Sequence, residues 1–224
     1  MRRTAIGFTS QGLKLEAVLS VPESLSGRAP GVPGVSASGK LPAILMCHPH
    51  PKLGGDMESP VVLAVCGAAA LEGIASMRFN FRGVGDSEGA FSDGEGEQKD
   101  MGAALSVLRR WPGIDGKRLA VVGYSFGAGV ILDGLKLCKP ARSFALIAPP
   151  VSSVRRSQIG RDRRPRLFVV GSRDGISSSV DLQRALDDAV PDARFVEIPG
   201  ADHGLGSHEG TVAEHVAAFV KETT

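Results

Sequence analysis

The 224-residue chain is poor in the features that mark several large classes of protein. It carries one Trp and one Tyr, and its 26 Lys and Arg against 24 Asp and Glu leave a net charge of only +2. So slight a positive balance, with so few rings on which bases could stack, argues against nucleic acid as a partner. Cysteine is scarce and odd in number: Cys47, Cys66 and Cys138 lie in apolar runs without C-x-x-C spacing. That excludes a disulfide framework or a zinc site and leaves three small core residues suited to a reducing compartment. Long hydrophobic runs are missing too. The longest nearly uninterrupted one, Val61 to Leu71, falls far short of the roughly 20 residues that span a bilayer, so no membrane partner is expected. Met1-Arg2-Arg3 is positive, but Thr4 to Gln11 contains no apolar h-region, so secretion is not encoded and a cytoplasmic location is expected. No internal repeat is evident.

What is present is a hydrophobic fraction of 42%, enough for one sizeable core, and a single domain over residues 1–224 is the expectation. Leu13 to Val21 partly alternates apolar and polar residues, as a strand with one wet face does, with an earlier partner through Ile6 and Phe8. Residues 22–40 are rich in Pro, Gly and Ser and read as a flexible surface loop. Short apolar runs then alternate with helical stretches. Strands are expected at Ala43–Cys47, Ala75–Phe79, Arg118–Val122, Phe144–Ala148, Leu167–Gly171 and Arg194–Ile198. Helices are expected at Val61–Glu72, Gln98–Trp111, Phe126–Leu137, Val180–Val190 and Val212–Lys221. Continuous apolar strands alternating with helices predict an α/β fold, a mainly parallel sheet covered on both faces.

Gly123-Tyr124-Ser125-Phe126-Gly127 follows the run Arg118 to Val122 and precedes a helical stretch, so a G-x-S-x-G motif has the strand-turn-helix setting its chemistry needs. Taken alone, the pentapeptide is also compatible with an ordinary turn. A serine hydroxyl is a weak nucleophile and needs an imidazole to take its proton and a carboxylate to hold that imidazole. Both are offered by loops leaving the carboxyl ends of later strands, Gly171-Ser172-Arg173-Asp174 and Pro199-Gly200-Ala201-Asp202-His203-Gly204. Ser125, Asp174 and His203 are the candidates; His208 and His215 compete with His203, and Asp202, Asp162 and Asp181 with Asp174. An oxyanion would be held by the N–H of Phe126 and by one from His48-Pro49-His50-Pro51, where the prolines lack an N–H and His50 is the better donor. His48-x-His50 can also be read as a pair of metal ligands, but no further cluster has ligand spacing, so neither metal nor cofactor is expected. Asn80 to Gly89 has glycines that do not fit a phosphate loop and reads as a shaped loop beside the site.

These motifs, His48-Pro49-His50-Pro51 with Gly54-Gly55-Asp56-Met57, Phe79 to Gly89, Gly123 to Gly127, Ala148-Pro149-Pro150 and Pro199 to His203, together resemble the α/β-hydrolase superfamily. In particular they resemble its small bacterial-type serine hydrolases related to the dienelactone hydrolases, from about Leu41 to the C-terminus. The resemblance implies hydrolysis of an ester-like bond through an acyl-enzyme on Ser125, with Asp174 and His203 at the matching positions. It departs from dienelactone hydrolases in having Ser where they have Cys. The expectation is a carboxylic ester hydrolase acting on a small-molecule ester; a thioesterase, a peptidase or a non-catalytic hydrolase-like binding module are the alternatives. The short span between Phe144–Ala148 and Leu167 leaves little room for a cap, so an open, shallow site is expected. That span also holds Arg155, Arg156, Arg161, Arg163, Arg164 and Arg166, either a solvated face or an anion-binding one.

Overall fold

A computed structural model describes residues 1–22, 39–190 and 192–224. Most of the Pro- and Gly-rich stretch expected to be flexible lies outside these residues. The strands are β1 (Arg2–Ser10), β2 (Leu13–Val21), β3 (Leu41–Cys47), β4 (Ala75–Phe79), β5 (Ile114–Tyr124), β6 (Ser143–Ile147), β7 (Arg166–Gly171) and β8 (Arg194–Ile198). Among the described residues they form one eight-stranded sheet in the order β1-β2-β4-β3-β5-β6-β7-β8. β1 and β2 form an antiparallel hairpin, β2 also runs antiparallel to β4, and the remaining neighbours are parallel. The sheet is therefore mainly parallel, as the continuous apolar strands require.

Six α-helices of the described residues cover the sheet: α1 (Pro60–Leu71), α2 (Glu95–Arg110), α3 (Phe126–Asp133), α4 (Val151–Arg156), α5 (Ser179–Ala189) and α6 (Glu209–Thr223). The two-residue period of the strands divides the core between the faces. Ile44 and Met46 of β3 and Ala120 and Val122 of β5 pack with Val62 and Val65 of α1 and Val216 and Val220 of α6. Their alternates Leu45, Cys47, Leu119 and Val121 pack with Met101 and Leu105 of α2, Ile131 of α3 and Leu182 of α5.

Element bounds shift from the sequence expectation by up to four residues, as at the start of β5 (Ile114 rather than Arg118), and two of the shifts have clear local reasons. α2 starts at Glu95 rather than Gln98, because the Glu97 carboxylate accepts from the N–H groups of Gly94 (2.8 Å) and Ser92 (2.9 Å) and closes the first turn. The helix expected from Phe126 to Leu137 ends at Asp133, and after Gly134 the chain tightens into a 3₁₀ turn over Leu135–Leu137. α4, one and a half turns long, was not expected.

Parallel register brings the carboxyl ends of β3, β5, β6, β7 and β8 level. Cys47 lies opposite Gly123, Gly123 opposite Leu146, Ile147 opposite Val169, and Gly171 opposite Ile198. The loops carrying His50, Ser125, Asp174 and His203 therefore leave the sheet at one edge, where open α/β sheets place their sites.

Candidate active site

Ser125 sits between β5 and α3 with φ 51° and ψ −111°, a left-handed backbone that a non-glycine residue adopts only under constraint. Its N–H donates to the Ile147 carbonyl (2.8 Å), and its carbonyl accepts from Gly129 N–H (3.0 Å) to begin α3. The flanking glycines are required by contact. A Cβ on Gly123 would lie 2.6 Å from Ala128 N and Ile131 Cδ1, and one on Gly127 would lie 2.4 Å from the Cys47 carbonyl oxygen. Strand and helix approach too closely for any side chain there.

Ser125 Oγ lies 2.8 Å from His203 Nε2. On the other side of the ring, His203 Nδ1 is 2.8 Å and 3.0 Å from the two carboxylate oxygens of Asp174. Nδ1–H donates to the carboxylate, leaving Nε2 to accept from the serine hydroxyl. The Asp174 side chain is fully buried and that of His203 only one-fifth exposed. Asp174 Oδ1 also accepts from the N–H groups of Ile176 (2.8 Å) and Ser177 (2.6 Å), which fixes the carboxylate without a cation. The acid and histidine loops are joined by Arg173 N–H to Ala201 O (2.8 Å) and Gly200 N–H to Ser172 Oγ (2.8 Å).

The competing residues lie elsewhere. Asp202 Oδ1 caps Leu205 N–H, Asp162 pairs with Arg164, Asp181 lies in the first turn of α5, His208 precedes α6 and His215 is within it. His48 is buried and committed at both ring nitrogens: Nδ1–H donates to the Pro49 carbonyl (2.7 Å), and Nε2 accepts from Phe81 N–H (3.1 Å). Burial lowers its pKa to about 4. It therefore ties the strand end of β3 to the loop after β4 rather than facing a ligand. His50 caps the 3₁₀ turn Pro51–Leu53, and its ring stands 5.0 Å from that of Phe126. Among the described residues, no protein acceptor takes the backbone N–H of His50 or of Phe126.

The loop after β4 is shaped by side chains. Arg82 binds Asp100 through Nε (2.9 Å) and Nη2 (2.7 Å), Asn80 Oδ1 accepts from Met57 N–H (2.8 Å), and Ser87 Oγ–H donates to the Asn80 carbonyl (2.8 Å). Its continuation brings the Phe91 ring to 5.4 Å from Phe126 and 5.1 Å from His50. His50 borders two clefts, and all three rings border the smaller of them. One, of about 370 Å³, is bordered by Ser125, His203, Tyr124, Val61, Leu53 and Glu209. The other, of about 250 Å³, is bordered by Phe126, Phe91, Asp93, Asp133, Ser153 and Arg156. Between β6 and β7 there is only α4 and one 3₁₀ turn (Ile159–Arg161), so nothing in that span covers the clefts.

Tyr124 and Ser177 escaped the sequence reading. The Tyr124 hydroxyl donates to the His203 carbonyl (2.8 Å), and burial, with Asp174, Asp202 and Glu209 nearby, pushes its phenol up to about 12, so it stays a donor. Ser177 Oγ–H donates to the Ala148 carbonyl (3.0 Å) and so ties the acid loop to the end of β6. Tyr124 lies within the recognised pentapeptide, but a bond to a residue 79 positions away has no sequence signature.

Half of the six arginines in this span are held in ion pairs. Arg156 pairs with Asp133 (2.7 Å), Arg164 with Asp162 (2.5 Å) while its guanidinium covers the Phe144 ring, and buried Arg166 with Asp192. Of the six arginines only Arg156 borders either of the two clefts, and it does not border the one containing Ser125.

A parallel sheet of this order with a serine, a histidine and an acid at its carboxyl edge is the architecture of the α/β hydrolases. The chain belongs to the X-Pro dipeptidyl-peptidase (S15) family, which it matches over residues 12–184, a span that includes Ser125 and Asp174 and ends before His203. It is 30% identical over 185 residues to the uncharacterized protein RP471 of Rickettsia prowazekii (strain Madrid E), covering 79% of this chain and 77% of that one. Its fold is similar to that of XC6422 from Xanthomonas campestris, an α/β serine hydrolase without lid, with a TM-score of 0.81, 26% identity and coverage of 99% and 95%. An α/β serine hydrolase homologue from Coxiella burnetii gives a TM-score of 0.77 and 26% identity over 97% of each chain. The superfamily expected from the motifs is borne out, and the chain is a hydrolase of the serine-hydrolase type. Within the superfamily the family shown is S15; the dienelactone hydrolase grouping is not.

Proposed function

We propose that the protein hydrolyses carboxylic esters of small or flexible substrates through an acyl-enzyme on Ser125. The observation that carries this reading is the continuous chain of short contacts from Ser125 Oγ through His203 to Asp174. His203 Nε2 takes the hydroxyl proton as Oγ bonds to the ester carbon, and the carbonyl oxygen becomes an oxyanion. The N–H groups of Phe126 and His50 receive that oxyanion; a donor so placed is worth roughly 2.7–4 kcal/mol. The carbon–oxygen bond to the alcohol then breaks as the alcohol oxygen takes the proton from Nε2. Water, deprotonated by Nε2, attacks the acyl-enzyme, releasing the carboxylic acid and returning the proton to Oγ. Asp174 holds the imidazole tautomer throughout. A non-catalytic binding role would need none of this alignment.

Peptidase activity is the second reading, favoured by the S15 match. Turnover of p-nitrophenyl acetate and butyrate beside an alanyl-prolyl p-nitroanilide decides between them. Ester turnover that disappears in Ser125→Ala, with the anilide inert, is the expected result. Anilide turnover at a comparable kcat/KM would install the peptidase reading instead.

A further inference from the structure

We infer that the alcohol half of the substrate carries a positive charge, and that Glu209 recognises it; the assignment rests on the ester reading above. The larger cleft holds the leaving group for a geometric reason. His203 Nε2 must protonate the departing alcohol oxygen, so that oxygen lies within hydrogen-bond reach of Nε2, and the space beside it is walled by the segment carrying His203, Gly204, Gly206 and Glu209. The acyl half must point the other way, past the rings of His50 and Phe126. The smaller cleft there touches neither Ser125 nor His203.

Apart from Ser59, the rest of the leaving-group cleft is walled by glycines and the apolar Leu53, Pro60, Val61 and Tyr124 ring, and among the described residues its only ionisable side chains besides the catalytic pair are those of Glu209, Tyr124 and His50. The Tyr124 phenol remains neutral, and His50 Nδ1 accepts from Lys52 N–H (3.2 Å). Glu209 is half-buried and has no hydrogen-bond or ion-pair partner among the described residues. Lys52, beside the cleft residue Leu53, does not reach into it: its Nζ lies 4.5 Å from the centre of the Phe91 ring, which borders the other cleft. Among the described residues, no cation pairs with the carboxylate there. An unpaired carboxylate facing an apolar wall with an aromatic ring is matched by a compact alkylammonium group, whose methyls meet the wall while its charge meets the carboxylate. The substrate class is therefore an ester of an amino alcohol. An acidic alcohol would meet like charge.

The experiment compares acetylcholine with its neutral isostere 3,3-dimethylbutyl acetate in the full chain. The wild type is expected to favour the cationic ester by about fivefold in kcat/KM at low salt, with the ratio shrinking as ionic strength rises. Glu209→Gln should bring the ratio to near one, and Glu209→Lys should invert it. A ratio of one in the wild type, a ratio that survives Glu209→Gln, or turnover of p-nitrophenyl esters with none of acetylcholine would overturn the assignment and leave the ester reading standing. Failure to hydrolyse any ester, with Ser125 inert to a fluorophosphonate, would overturn both.

Discussion

Each group of the site is placed by one or two hydrogen bonds whose removal has a separate signature. Asp174→Asn would leave a side chain able to force the wrong imidazole tautomer, and kcat should fall on the order of 10³–10⁴-fold with little change in KM. Tyr124→Phe removes only the bond to the His203 carbonyl. A loss of ~1 kcal/mol, roughly fivefold in kcat, is the expected outcome in steady-state kinetics, with the fold unchanged by circular dichroism. The serine, acid and histidine were legible because each follows an apolar strand and their order is that of the superfamily. Tyr124 and Ser177 were not, because their roles depend on contacts between segments distant in sequence, which no motif records. His48 shows the converse: the H-x-H spacing is real, yet both nitrogens are spent on the backbone.

At the scale of elements, the turn between β5 and α3 determines where Ser125 stands. Gly127→Ala would drive a methyl against the Cys47 carbonyl, 2.4 Å away, and part α3 from β3. A stability loss of about 1–3 kcal/mol by urea unfolding is expected, with ester turnover falling further than stability alone explains. Strands β2, β4 and β8 have the bounds their apolar patterns indicate: β4 is a continuous buried run, whereas β2 and β8 are only partly buried and declare themselves by their apolar and β-branched residues. α4 was hidden because a six-residue helix after Pro149-Pro150, rich in Ser and Arg, has no room to show a period. The arginine-rich span following it looked like a charged face. Pairing with Asp133, Asp162 and Asp192 consumes three of its charges; Asp162 is two residues from Arg164, but Asp133 and Asp192 lie outside any local window.

For the molecule as a whole, two bulk measurements follow from burial. His48 is held neutral with a pKa of about 4 against an ordinary value of 6.5, so the unfolded chain binds the extra proton first as pH falls. Its contribution is complete above pH 6.5 and is lost as pH drops towards 4, roughly 3 kcal/mol in all. Urea unfolding across that window should show a flatter pH dependence in His48→Gln than in the wild type. All three cysteines are buried, Cys138 with its thiol pushed up to about 12, so a disulfide reagent should titrate none of them in the native protein and all three in denaturant.

The central claim is that Ser125 is activated by His203 and Asp174, and covalent capture addresses it most directly. After treatment with a fluorophosphonate, intact-mass and peptide mass spectrometry should find one adduct per chain, on Ser125, formed rapidly by the wild type and very slowly by His203→Ala. A folded wild type that takes no adduct, or an adduct that forms at an unchanged rate without His203, would contradict it.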